Sequence, residues 1–274
     1  VQGVYQFEAQ VLDFYERTAD SYDSWAGGVH TRAGIRLAEL AQVLPSERAV
    51  DIGCGTGVST NLLAGRPSAG GCSIGVDASP PMLEVAMHKH SESGAAQFAL
   101  MDVRQLVLRD ASFDAVLLGQ MLAYTRDPRA LLLEAHRLLT SGGRIVVSNQ
   151  CRSLCTVAQG LFFERLEHVP LRIERGEPHN AKLGEPQVIT HLLESSGFYG
   201  VETTQLVVGN RTANAHEWID LMTHAGPWPY AVLQNMQPAA IDRMAEQLDD
   251  VMRTLGEGAF AYHTAFTFAL AQRR

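Results

Sequence analysis

Three carboxylates and three glycines stand where they could act on one ligand. The segment VDIGCGTGVST (50–60) is an apolar run that meets Asp51 and then places Gly53, Gly55 and Gly57 at every second position. Glycines at the end of a strand let a ligand or another backbone come close, because no Cβ intervenes. A phosphate-cradling P-loop would need Lys followed by Ser or Thr after the last glycine, and none is there. The dinucleotide fingerprint GxGxxG would put its third glycine where Val58 stands. Asp51, directly before the loop, would repel a pyrophosphate and welcome an ammonium or sulfonium. Asp77 comes twenty residues after Gly57. At the end of a second strand it could accept from both hydroxyls of a ribose. Asp102, within ALMDV (99–103), could accept from an exocyclic adenine amine, with Leu100, Met101 and Val103 against the ring. A tight strand-to-helix turn would explain the glycines alone. The coupled acids point instead to a nucleoside that carries positive charge and no phosphate.

The elements that must hold these residues alternate along the chain. TRAGIRLAELAQVL (31–44) has apolar residues at 35, 37, 40, 41, 43 and 44, the face of a helix closed by Pro45 and Ser46. RAVDIG reads as a buried strand and VSTNLLAG as a helix. CSIGVDA (72–78) is a second strand, and SPPMLEVAMHKH a helix with Ser79 as cap and proline in its first turn. AQFALMD (96–102) and FDAVLLG (113–119) are further strands. DPRALLLEAHRLLT (127–140) is a periodic helix, SGG a turn, and RIVVSN a fifth strand. Such alternation predicts a parallel sheet covered on both faces and, with right-handed crossovers, doubly wound. Beyond residue 150 the pattern loosens. A helix at 186–197, a strand at GVETTQLVV, helices through 212–255 and a final strand at 260–272 complete the prediction.

Composition narrows the class of partner. The chain has 274 residues, is 46% hydrophobic and 19% charged, and carries a formal net charge of −8. That balance argues against nucleic acid, whose binding rests on Lys and Arg releasing counterions. No apolar run approaches the ~18–20 residues of a membrane span, and the first thirty residues hold no signal-peptide core. The four cysteines (54, 72, 151, 155) read as reduced thiols of a cytoplasmic protein, and a lone CxxxC pair is a weak zinc signal. The prediction is a monomer or homodimer acting on a small molecule, with no metal.

VDIGCGTG, IGVDASPPMLEVA, LMDVRQL, FDAVLLGQMLAYTRDPRALLLEAHRLLTSGGRIVVS and LLESSGF resemble, in order, the motifs of class I S-adenosylmethionine-dependent methyltransferases. The nearest resemblance is to small-molecule enzymes of quinone and natural-product methylation, over about residues 12–208. It implies an α/β, Rossmann-like fold with a doubly wound, seven-stranded, mostly parallel sheet, the last strand antiparallel, and a helical lid. One domain, 1–274, would comprise a lid element (1–45), a cofactor-binding core (46–150), lid insertions (151–185 and 210–258) and the rest of the sheet (186–209 and 259–274). By the resemblance, Gly53, Gly55 and Gly57 admit the methionine part of the cofactor, with Asp51 and Thr56 at that end. Asp77 and Ala78 meet the ribose, Met82 packs near the adenine, Asp102 and Val103 meet its edge, and Gly119 closes the site. YERTADSYDSW resembles the family's lid helix, in which Tyr22 reaches the cofactor carboxylate; Tyr15 fits aromatic packing equally well.

Methyl transfer is an in-line substitution, so alignment matters most and a base only sometimes. Relatives often carry LHH before the DP of the fourth motif, but this chain reads LAYTRDP, with Ala123 and Tyr124 in those places. Tyr124 could orient or deprotonate an acceptor, although a phenol pKa near ~10 makes an unaided base poor. His168 and His179 flank the segment that caps acceptors and are the other candidates for a base. His136 reads as packing, His88 and His90 as helix-end residues. His216 and His224 lack the tight spacing of a metal pair. Gln120 and Met121 are predicted to face cofactor or acceptor, with Tyr15 and Phe162 of LFFERL completing an acceptor pocket. The expected activity is methyl transfer to O, C or N of a partly hydrophobic metabolite, in secondary metabolism. The alternative is a protein that binds S-adenosylmethionine structurally and shapes or cyclises its substrate.

Overall fold

The computed structural model describes residues 2–64, 71–90, 96–151, 156–169, 182–224, 226–255 and 261–274. Seven strands among them form one sheet: β1 (Arg48–Ile52), β2 (Cys72–Asp77), β3 (Ala96–Leu100), β4 (Phe113–Gly119), β5 (Leu139–Cys151), β6 (Phe198–Arg211) and β7 (Ala261–Arg273). Their order is β3-β2-β1-β4-β5-β7-β6. The first five pair in parallel, and β7 runs antiparallel to both β5 and β6. The expected fold is therefore present, with its antiparallel final strand inserted between β5 and β6. Strand order reverses between β1 and β4, which opens a crevice at their carboxyl ends, where open sheets bind ligands.

The apolar runs of these strands follow from burial on both faces. Alternation sends Ala49, Ala115, Leu117 and Val146 to one apolar cluster, and Val50, Ile52, Val116, Leu118, Ile145 and Val147 to the other. α2 (Val29–Ala41) covers the first face with Val29, Ala33, Leu37 and Ala41, a stripe at four-residue spacing. α5 (Pro128–Leu138) covers the second with Leu131, Leu132, Ala135 and Leu138. It starts where the sequence says it must: Asp127 caps it by accepting from Ala130 N at 2.9 Å, with Pro128 in the first turn. α3 (Val58–Ala64), α4 (Pro80–His90) and α7 (Pro186–Ser195) complete the layers.

α1 (Gln2–Thr18), with the tight turn Tyr22–Gly27, lies over the carboxyl ends of the strands. α6 (Val157–Glu167), α8 (Ala215–Thr223), α9 (Pro227–Gln234) and α10 (Pro238–Leu255) form a helical cap, with Trp218, Met222, Leu248 and Met252 buried in its core. Several boundaries shift from expectation by a few residues, and two of these shifts change the local structure. β3 stops at Leu100, so Asp102 lies in the turn beyond it. The SGG segment stays within β5 as a bulge: from the Phe113↔Leu139 pair to Ala115↔Arg144, β4 advances two residues and β5 five. Gly142, at φ 77°, accommodates that irregularity.

One cation ties α2 to the sheet. Arg144 Nε donates to Ala41 O at 2.5 Å and Nη2 to Gln42 O at 2.9 Å, satisfying carbonyls at the helix end. Its guanidinium also grips both Glu47 oxygens, at 3.0 and 2.6 Å. These bonds hold the Glu47 carboxyl below its ordinary value. A depressed carboxylate contributes stability at neutral pH that is lost as pH falls through its folded pKa. Arg144→Ala is expected to cost about 2–3 kcal/mol at pH 7, measured by urea unfolding. The deficit should shrink as pH falls through the depressed folded pKa of Glu47, below the ordinary carboxylate range.

Candidate functional site

A cavity of about 390 Å³ opens at the carboxyl ends of β1, β2 and β4, beneath α1. Its floor is Gly53 and Gly55. One wall holds Asp77, Ala78, Ser79 and Met82, and a second Asp102, Val103 and Arg104. The third runs through Gly119, Gln120, Met121 and Tyr124, and Tyr15 and Tyr22 reach in from the lid.

The three glycines do different work. All have positive φ, at 73°, 52° and 77° for Gly53, Gly55 and Gly57, a region that favours glycine. A Cβ at Gly53 would fall 2.0 Å from Met121 Sδ. A Cβ at Gly55 would meet nothing nearer than Met82 Sδ at 4.0 Å, so it would stand in the cavity itself. Gly57 differs from expectation. Its Cβ would strike Ala86 at 2.9 Å and the Phe98 ring at 3.0 Å, so it lets α3 close on α4 and β3 and does not line the cavity.

The three acids also separate. Asp77 Oδ2 accepts from Gly55 N at 2.8 Å, and Oδ1 from Ser79 N at 2.9 Å. Burial raises its pKa, and the backbone N–H groups of Ser79, Gly55 and Ala78 counter that. Asp51 is buried behind the loop, bonded by Thr60 Oγ1 at 2.8 Å, and is not in the cavity wall. Burial pushes its pKa up to about 7, with the nearby Asp77 charge adding to the shift and Thr60 opposing it. Asp102 is the most exposed, and its carboxylate is gripped by Arg104 Nε at 2.9 and 3.0 Å. That pairing holds its pKa low.

The lid is fastened to the loop by Asp23, which the sequence pattern does not single out beyond its place in YD. Asp23 accepts from Thr56 Oγ1 at 2.6 Å and pairs with Lys89 of α4. Thr56 thus serves the lid and lies outside the cavity wall. Tyr22 stacks on His30, with ring centroids 5.0 Å apart and planes at 17°. Tyr15 meets Tyr22 at 5.9 Å and Tyr124 at 5.7 Å, edge to face. Enclosure drives the Tyr15 and Tyr22 pKa values upward, so both phenols stay protonated. Burial pushes His30 down to about 4, a neutral ring that sequence reasoning missed. Its position on an otherwise ordinary helix gives no signal.

Other expected residues lie elsewhere. Phe162 is fully buried against Phe163 and Trp218 in the cap core, so the expectation of acceptor contact is corrected. His168 ends α6 in an exposed position, its Nδ1 at 2.8 Å from Glu164 O, and is no base for this cavity. His179 lies outside the described residues. His136 packs on Phe198 at 5.3 Å, as a structural residue would. His216 pairs with Asp242 at 3.5 Å, and His224 lies against Trp25. No group of His, Cys, Asp and Glu suited to a metal occurs among the described residues.

Residues 50–147 match a family described as "Methyltransferase domain". They are a methyltransferase domain. A malonyl-[acyl-carrier protein] O-methyltransferase of Hahella chejuensis is 32% identical over 182 residues, which are 66% of this chain and 61% of that protein. The chain spans between 32% and 66% of the first curated relatives it matches. A SAM-dependent methyltransferase of Thermotoga maritima has the same fold, with TM-score 0.54 and 18% identity over 96% of this chain and 100% of that one. So does the [4+2]-cyclase SpnF, with TM-score 0.55 and 17% identity over 99% and 96%.

The domain's acids and glycines fit the sulfonium cofactor that the resemblance implies. Gly55 leaves a cradle that any Cβ would fill, and Asp77 stands beside it with a carboxylate still open to the cavity. Two outcomes follow. A cation near Asp77 and Asp51 favours their ionised forms. S-adenosylmethionine is therefore expected to bind with proton release at pH 6, and more weakly there than at pH 8.5. Calorimetry in buffers of different ionisation enthalpy reads this, and Asp51→Asn should abolish it. For folding of the ligand-free protein the sign is opposite: the Asp51 contribution is present below the ordinary carboxylate range and lost as pH rises through about 7. Asp23→Asn is expected to speed amide exchange severalfold across residues 9–27, with β1 and β4 unchanged, as measured by mass spectrometry.

Proposed function

We propose that the chain carries out S-adenosylmethionine-dependent methyl transfer to an oxygen, carbon or nitrogen of a mid-sized, partly apolar small molecule. The observation that carries this reading is Asp77, a carboxylate at the end of β2 that knots the glycine loop and still faces the cavity. In this reading Asp77 and Ala78 meet the ribose, and Gly53, Gly55 and Gly119 flank the methionine end. Met82 and Val103 sandwich the adenine, whose amine shares Asp102 with Arg104. Tyr22 closes over the cofactor from the lid. When bound, the cofactor supplies a methyl group on a sulfonium, activated for attack.

The remaining work falls to alignment. No histidine or lysine is in the described cavity wall. Tyr15 and Tyr22 hold their protons, so they exclude water and orient rather than abstract. Tyr124 packs edge to face on Tyr15 and belongs to the same wall. An acceptor that needs deprotonation would then lose its proton to solvent before closure, and proximity supplies the acceleration. We place the activity in secondary metabolism and in the cytoplasm, with Cys54 and Cys72 as free thiols. No described helix is long and apolar enough to cross a membrane.

The likeness to SpnF over nearly the whole of both chains favours one second reading, a cavity that shapes a substrate for cyclisation without methyl transfer. Titration separates the possibilities. Micromolar binding of S-adenosylmethionine, lost in Asp77→Ala and absent for NAD, is expected by calorimetry; no binding to the wild type would sink the cofactor reading. Formation of S-adenosylhomocysteine with an acceptor pool then distinguishes transfer from cyclisation.

A further inference from the structure

Four non-glycine residues among those described have positive φ: Ala26, Gln42, Ala111 and Gln120. Gln42 caps α2 and Ala26 sits in the kinked lid turn, where such geometry ends a helix. Gln120 alone of the four is in the cavity wall, at φ 61°, immediately after β4. A left-handed backbone is strained for any residue with a Cβ, and glycine would adopt it freely. Strain retained at a ligand cavity is a pointer to use of the side chain.

The side chain is anchored from behind. Gln120 N donates to Ser148 O at 2.9 Å, and Gln120 Nε2 donates to Ser148 Oγ at 3.0 Å. Ser148 is 1% exposed, so this anchor is fixed in the sheet. With one Nε2 hydrogen given to Ser148, the amide offers Oε1, which accepts from no described residue. The neighbours in this wall are Met121, Tyr124 and Tyr15, all uncharged, and the Tyr15 and Tyr124 rings meet edge to face. The charged wall groups, Asp77, Asp102 and Arg104, belong to the β2 and β3 sides.

We propose that Gln120 is an acceptor-binding residue: its Oε1 accepts a hydrogen bond from a hydroxyl or N–H of the molecule to be methylated, and so selects donor-bearing rings over their ethers and carboxylates. The proposal rests on the methyltransferase reading and deepens it. The strained backbone aims the amide, Ser148 sets which atom faces the cavity, and the tyrosine edges flank the ring. A methionine at this position would keep the length and lose the acceptor. A glycine would lose the side chain and release the strain.

The test uses the full chain saturated with S-adenosylhomocysteine, and phenol, anisole and benzoate as probes in ligand-observed NMR titrations. Wild type is expected to bind phenol at least fivefold more tightly than anisole or benzoate. In Gln120→Met and Gln120→Gly that preference should fall to near one, with the S-adenosylhomocysteine affinity kept within about twofold. Gln120→Gly should also melt about 2–4 °C higher than wild type as strain is relieved. A phenol preference that survives in Gln120→Met, tighter binding of benzoate than phenol to wild type, absence of phenol binding, or a lower melting point in Gln120→Gly would each overturn the proposal. Failure of the parent reading looks different, since S-adenosylhomocysteine would then not bind wild type at all.

Discussion

The bond between Asp77 and Gly55 N joins residues far apart in the chain, and the site depends on it. It pulls the glycine loop across the end of β2, so that the turn after β1 and the turn after β2 become one surface. Gly53 N and Cys54 N, both donating to Val76 O, tie the loop to the same strand. At Asp77, one carboxylate both organises the backbone and presents charge to the cavity. A side chain with two oxygens can do this only because each accepts from a different turn, Gly55 on one side and Ser79 on the other. The cost is desolvation, visible in the raised pKa, and it is offset by those same backbone donors.

Everything else holds that surface in place or covers it. Parallel pairing of β1 with both β2 and β4 brings three strand ends into register. The two apolar faces are locked by α2 and α5, so polar groups converge at the strand ends, Arg144 and Glu47 at the amino edge and the cavity residues at the carboxyl edge. The lid returns to this edge through Asp23, so the same loop that meets the ligand also holds the cover. Loop and lid are thereby coupled: displacement of Thr56 moves the anchor of Tyr22 one residue away.

Much of this was legible in the chain. Apolar strand runs, capped helices and the glycine series locate the sheet and its ligand-facing edge, because burial on both faces leaves a continuous apolar signature. The SGG segment was read as a turn, yet in the sheet it is a bulge, since glycines permit either and only pairing to β4 decides. Phe162 and Gly57 suit ligand contact by their sequence position, and the structure packs both. For both, the residue type suits either role, and long-range neighbours such as Trp218, Ala86 and Phe98 make the choice. His30 and Asp23 carried no pattern of their own; their roles arise where α2, the lid turn and α4 meet.

The three acids show why spacing finds a site and cannot assign its roles. Asp51, Asp77 and Asp102 follow or end consecutive strands, and on spacing alone they are equivalent. Burial hides Asp51 against Thr60 and lifts its pKa toward neutrality. Exposure lets Arg104 neutralise Asp102, so a ligand there must share an existing partner. Asp77 lies between these extremes, enclosed enough to be strengthened and open enough to be reached. A charge is strongest toward a ligand where water is scarce and no fixed counter-ion is present. That condition is met at Asp77, which is enclosed, lines the cavity and is held by backbone N–H groups.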